Sequence, residues 1–150
     1  MQFSRQVKIV LDILQNEVNC DIPAALKKMA SDYSMTWMDT GLDGKTLFPT
    51  TSPNITDDMQ ETYVIKGREY DIRNIAEGEN VVMVELVESY PNPETGEVYR
   101  APLVLVLEIQ EGKIRTGRHY LDPTISSKFL KKEEVEKAYK NSRGSLLIIE

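Results

Sequence analysis

The chain has a single histidine, His119, in the stretch Glu111-Gly-Lys-Ile-Arg-Thr-Gly-Arg-His-Tyr-Leu-Asp-Pro123. Gly112-Lys113 reads as a turn and Asp122-Pro123 as a stop, so 113–122 is expected to be a strand. A neutral imidazole on the wall of an apolar pocket can accept and return a proton near pH 7. The other reading is a hydrogen-bonded structural histidine. Two carboxylates could work with it. Glu88 follows Val82, Val84 and Leu86 at strand spacing, on the face expected to point inward. A carboxylate there must be paired or have its pKa raised, unless the strand has already left the core. Asp39 follows Met35 and Trp37 at the same spacing. It is either a base at a pocket mouth or a local turn acceptor in Asp39-Thr-Gly41. Tyr33, Tyr90, Tyr99 and Tyr120 could each donate a phenolic hydrogen bond to a developing oxyanion, or simply pack.

Other chemistries lack their residues. Gly41-Leu-Asp-Gly-Lys-Thr46 ends like a phosphate loop, but Asp39 stands where the first glycine is required and Leu47-Phe-Pro49 opens no helix. One histidine and one cysteine far apart give no metal-ligand spacing, and no cofactor motif is present. Cys20 alone excludes an internal disulfide and reads as a small apolar residue near a helix end.

The 150 residues are one domain's worth, and 41% hydrophobic with 28% charged residues is ordinary for a soluble globular chain. The net charge of -6, from 24 acids and 18 bases, gives no electrostatic reason to approach nucleic acid or anionic lipid. No apolar run approaches the ~20 residues of a membrane span, and no basic-then-apolar leader is visible. A cytoplasmic location is expected.

These side chains need elements to hold them. Val7, Val10, Leu11 and Leu14 recur at helical spacing over 3–17, with Ser4 as a cap. Asp21 caps a second helix with Pro23 near its start and Ile22, Ala25, Leu26 and Met29 as its stripe. Residues 34–39 read as a short strand. A helical turn is expected at 55–61 and strands at 62–66 and 70–76. Strands at 81–90 and 100–110 are joined through Pro91-Asn-Pro-Glu-Thr-Gly96. A helix is expected at 131–141, and Leu146-Leu-Ile-Ile149 is either a strand or a tail on a partner. Helices segregated from strands give an α+β class: a curved antiparallel or mixed sheet forming a cone under N-terminal helices, with Leu103, Leu105 and Leu107 inside. Val104 and Val106 make the second face of that strand apolar too, which predicts a homodimer through the sheet.

This order, with Gly112-Lys-Ile-(x)5-Tyr120-Leu-Asp122, resembles the nuclear transport factor 2-like superfamily, in particular its SnoaL-like and limonene-epoxide-hydrolase-like branches. Their last strand commonly begins Gly-Lys-Ile and ends aromatic, aliphatic or aromatic, Asp. The resemblance covers most of residues 3–122 in layout and only about 113–122 in residue detail. It implies a deep apolar pocket between helices and sheet. Carried over by position, Glu88 stands at one carboxylate of the epoxide hydrolases and Leu86 at their arginine. His119 replaces the second carboxylate and Trp37 a water-holding polar residue. Most of that catalytic set is thus lost. Asp39 is the nearest match to the base of ketosteroid isomerases, and His119 stands at about the acid–base position of SnoaL-type cyclases.

Two functions follow. One is a cofactor-independent isomerase, cyclase, dehydratase or hydrolase for a small apolar molecule. His119, Glu88 and Asp39 would be its acid–base groups, and Tyr33, Met35, Trp37, Leu86, Tyr90, Leu103 and Leu105 its walls. The other is a ligand-binding or protein-interaction domain of the same fold. A cavity without a fixed positive charge favours a neutral ligand over an anionic one.

Overall fold

The apolar stripe Val7, Val10, Ile13 and Leu14 winds helix α1 (Arg5–Val18), and Ser4 Oγ accepts from the Val7 N–H at 3.2 Å to start it. The computed structural model describes residues 2–41, 44, 48–52 and 55–150, so most of 41–46, the failed phosphate-loop stretch, lies outside the described residues. Cys20, at a φ of 57°, turns the chain into α2 (Ile22–Leu26), which Asp21 caps at the Ala24 N–H. The stripe expected to include Met29 ends at Leu26. Met29 instead opens β1 (Met29–Trp37), a strand longer at its start than 34–39 and ending two residues before Asp39.

Then come β2 (Thr50–Thr51) and α3 (Ile55–Thr62). The strand expected at 62–66 is absent. Tyr63 N–H still bonds the Met59 carbonyl at 2.9 Å, because Met59 and Tyr63 lie one helical turn apart and both line the cavity. The β propensity of Tyr63-Val64-Ile65 loses to that tertiary contact. The remaining strands fall close to expectation: β3 (Glu69–Gly78), β4 (Val81–Pro91), β5 (Val98–Gln110) and β6 (Lys113–Leu121). Asp122 does more than stop β6. It caps α4 (Pro123–Ser126) by accepting from the Thr124 N–H at 2.9 Å. The helix expected at 131–141 is only α5 (Lys132–Glu136) followed by a 3-10 turn, Lys137–Tyr139. The final apolar run is β7 (Leu147–Ile149), paired with β3.

Among the described residues, seven strands form one sheet in the order β2-β1-β6-β5-β4-β3-β7, antiparallel except for the parallel β1–β6 pair. Register breaks in β1, in β3 and between Glu108 and Ile109 of β5 bend the sheet. Val82, Val84, Leu86 and Ile72 are fully buried under α1, and Leu103, Leu105 and Leu107 are buried on the same face. Each such side chain contributes about 1.5–3 kcal/mol by leaving water.

On the outer face, Arg73 is buried among Asp71 (2.9 Å), Glu136 (3.0 Å) and the Tyr139 ring (4.2 Å) and ties the C-terminal segment to β3. Arg118 pairs with Glu108 at 2.9 Å, because Glu108 lies on the neighbouring strand. Val106 is already buried within the chain, while Val104, Met83 and Tyr120 are exposed. Among the described residues no helix is long and apolar enough to cross a membrane.

Candidate functional site

Between α1, α3 and the inner face of the sheet lies a cavity of about 280 Å³. Strand alternation sends Tyr33, Met35 and Trp37 of β1 into it, and Trp37 is the register partner of His119 across the parallel pair. His119 also faces Leu105 on β5, so the imidazole sits over the middle of the cone. Met59, Thr62 and Tyr63 close one side. Tyr90, Tyr99, Leu103 and Leu121 form the rest of the wall, with Ser126 of α4 at its edge. A smaller void of about 40 Å³ continues toward Val10, Leu14, Tyr70 and Leu105, and Glu17, Tyr33, Met35, Glu88 and His119 border both spaces.

The expected site residues separate into two groups. His119, Glu88, Tyr33, Met35, Trp37, Tyr90 and Leu103 meet at the cavity, and Leu105 lines its deeper extension. Leu86 and Asp39 do not line either space. Leu86 is wholly enclosed beneath α1, between Ile72 and Leu103. Asp39 lies past the end of β1, where its Oδ1 accepts from the Gly41 N–H at 2.8 Å, the local turn.

Glu88 is paired. Its carboxylate meets the guanidinium of Arg68 at 2.5 Å. Arg68 is 2% exposed, lies between the rings of Tyr63 (4.6 Å) and Tyr90 (4.4 Å), and donates to the Thr62 carbonyl at 3.2 Å. It therefore fastens the end of α3 to β4 while its charge is answered behind the cavity wall. The sequence reading missed Arg68. Its signal is the parity of Arg68, Tyr70 and Ile72, which extends the inner face of β3 by one residue pair beyond the strand.

Glu17 was missed as well. It is 6% exposed, lines the cavity, and its Oε2 accepts from the Tyr70 hydroxyl at 2.6 Å. Burial pushes its pKa up to about 8. Glu88 adds to the rise, while the Tyr70 hydrogen bond and the Arg68 charge hold it back. Glu17 is thus mostly a neutral acid at pH 7. The signal was its place on the α1 stripe, three residues after Leu14 and seven after Val10.

His119 is half-buried and its Nδ1 has no hydrogen-bond partner among the described residues. Burial pushes the imidazole below its usual pKa, against the opposing pull of Glu88 and Asp39. It is neutral at pH 7 and able to accept a proton. Burial also raises the Tyr33 phenol, so Tyr33 serves only as a hydrogen-bonding group.

No family model and no curated protein matches the chain. Solved structures do. TerC co-crystallised with polyporic acid superposes with a TM-score of 0.68 at 16% identity, over 84% of this chain and 98% of that one. An NTF2-like protein of unknown function from Burkholderia pseudomallei gives 0.67 at 14% identity, over 86% and 99%. An LEH-like epoxide hydrolase of M. tuberculosis gives 0.66 at 15% identity, over 91% and 97%. The chain has the nuclear transport factor 2-like fold. At these identities the likeness carries the fold and not an activity.

Proposed function

We propose that the chain binds a small, neutral, largely apolar molecule in this cavity and acts on it as a cofactor-independent acid–base enzyme of the isomerase, cyclase, dehydratase or hydrolase kind. The observation that supports this reading is His119: a neutral imidazole with an unpartnered ring nitrogen, on the wall of an aromatic and methionine-lined cavity. Such a group can take a proton from one atom of a bound molecule and return it to another with no external reagent. The Arg68 charge is answered by Glu88 and enclosed, so among the described residues no free cation lines the cavity for an anionic ligand.

A second reading is a ligand-binding domain without turnover. What favours it is the occupation of the two expected carboxylates: Glu88 by Arg68 and Asp39 by its own turn, leaving His119 Nδ1 without a carboxylate partner among the described residues.

Trp37 is the only tryptophan and lines the cavity, so its fluorescence reports occupancy directly. Neutral ring ketones, enones and epoxides that change this signal are incubated with the protein and with His119→Ala. Turnover that falls by about 10²–10⁴-fold in the variant supports the enzyme. Binding without turnover by either protein supports the binding domain. An unchanged rate in His119→Ala removes the proton-transfer role.

A further inference from the structure

We propose that Glu17 is the hydrogen-bond donor of this cavity and that it selects a neutral ligand carrying a carbonyl oxygen at its buried end. The inference rests on the cavity reading above and adds to it the class of ligand and the group that recognises it.

Glu17 projects from the last turn of α1 into the space that His119 and Tyr33 also border. Its Oε2 accepts from the Tyr70 hydroxyl at 2.6 Å, and the carboxyl borders both the main cavity and its deeper extension. Charged and titratable groups approach it from every packed element: Tyr70 and Arg68 on β3 or just before it, Tyr63 after α3, Glu88 on β4, Tyr33 on β1 and His119 on β6. The one cation among them is engaged by Glu88 at 2.5 Å. The Tyr70 hydrogen bond and the Arg68 charge favour the carboxylate, but burial outweighs both and holds Glu17 as the acid. A carboxylic acid has one proton to donate, and Tyr70 already satisfies one of its acceptor positions. The complement is an acceptor oxygen on a neutral molecule. A ligand carboxylate would meet Glu88 and Glu17 with no free cation among the described lining residues, and a hydrocarbon would leave the Glu17 donor unpaired.

Three ring compounds of similar shape separate these cases: indanone, indane and indane carboxylate, titrated calorimetrically. At neutral pH indanone is expected to bind on the order of ten-fold more tightly than indane, and the carboxylate more weakly than either. As pH rises through about 8, indanone affinity falls, approaching about ten-fold per unit because only the acid form is competent. Indane binding changes little. Glu17→Gln keeps the preference and loses the pH dependence, since the amide donates at every pH. Glu17→Met loses the preference. Tyr70→Phe keeps it and moves the fall to higher pH, because a hydrogen bond that favours the ionised form is gone. Equal affinity for indanone and indane, a flat pH profile in the wild type, or an intact preference in Glu17→Met overturns the Glu17 assignment while leaving the cavity a binding site. Failure of all three compounds to bind the folded wild type overturns the cavity reading itself, and this inference with it.

Discussion

The Tyr33 hydroxyl lies 2.8 Å from where a Cβ on Gly117 would stand. Met35 Cε and Leu107 Cδ2 would be 2.9 Å and 3.1 Å from the same point. Gly117 is the register partner of Met35 on β1 and of Leu107 on β5, so the missing side chain lets Tyr33 reach across β6 to the cavity wall beside His119. A glycine in the middle of a strand is unfavourable by itself, and here close approach explains it.

Gly117→Ala is expected to lower stability by about 1–3 kcal/mol through overpacking. Tyr33→Phe in the same chain should restore part of it, because the hydroxyl is the nearest obstacle and the Met35 side chain can yield. Urea denaturation of the wild type, both single variants and the double variant gives the coupling. Additive effects would remove the Tyr33–Gly117 contact from the argument.

The Arg68–Glu88 pair makes a second prediction. Glu88→Ala leaves an enclosed guanidinium without its partner, and a loss of about 3–5 kcal/mol is the usual cost of such a break. Replacing both residues by Met and Leu should cost much less, since an apolar pair of similar volume needs no desolvation of charge. If Glu88→Ala is neutral in thermal and urea unfolding, the pair does not hold α3 to the sheet.

The long strands were legible because their signals are local. Alternation over 81–90, 100–110 and 113–122 fixes which side chains share a face, and parity alone brought Met35, Trp37, Glu88 and His119 to one cavity. What was not legible depended on distant partners. Tyr63 belongs to a helical turn only because Met59 beside it faces the same space. Asp39 satisfies a turn two residues on, which parity counting cannot distinguish from a continuing strand. Glu17 reads as one more charge on an amphipathic helix until Tyr70, more than fifty residues away, is seen to enclose it. Leu86 obeys the inward parity yet lies under α1 rather than in the cavity, because parity fixes the face and not the position along the cone.

The outer face gives a third prediction. Met83, Val104 and Tyr120 are exposed on β4, β5 and β6, while α5 and its neighbours cover a different part of the sheet. We propose that a second copy covers this patch. Light scattering at micromolar concentration should give a dimer, and Val104→Glu combined with Met83→Glu should give a monomer that keeps the wild-type fold by circular dichroism. A monomeric wild type removes the proposal.

Glu17 also ties stability to pH, in a direction opposite to that of most carboxylates. Its pKa in the folded chain, about 8, lies above its ordinary value of 4.5, so the folded state holds the proton more tightly than the unfolded state does. The stabilisation from this group is complete below 4.5 and is lost as pH rises toward 8, with a slope of about 1.4 kcal/mol per unit inside that window. His119 has the opposite sign. Its folded pKa lies below 6.5, so its contribution is present above 6.5 and lost as pH falls through the folded value. The Glu17 effect is therefore read from the difference between wild type and Glu17→Gln, in which His119 and the other groups cancel. That difference in unfolding free energy should move steadily in favour of Glu17→Gln from 4.5 to about 8 and level off beyond it. A difference that is constant across this range would mean that Glu17 ionises as an ordinary carboxylate, and the donor role assigned to it would fall.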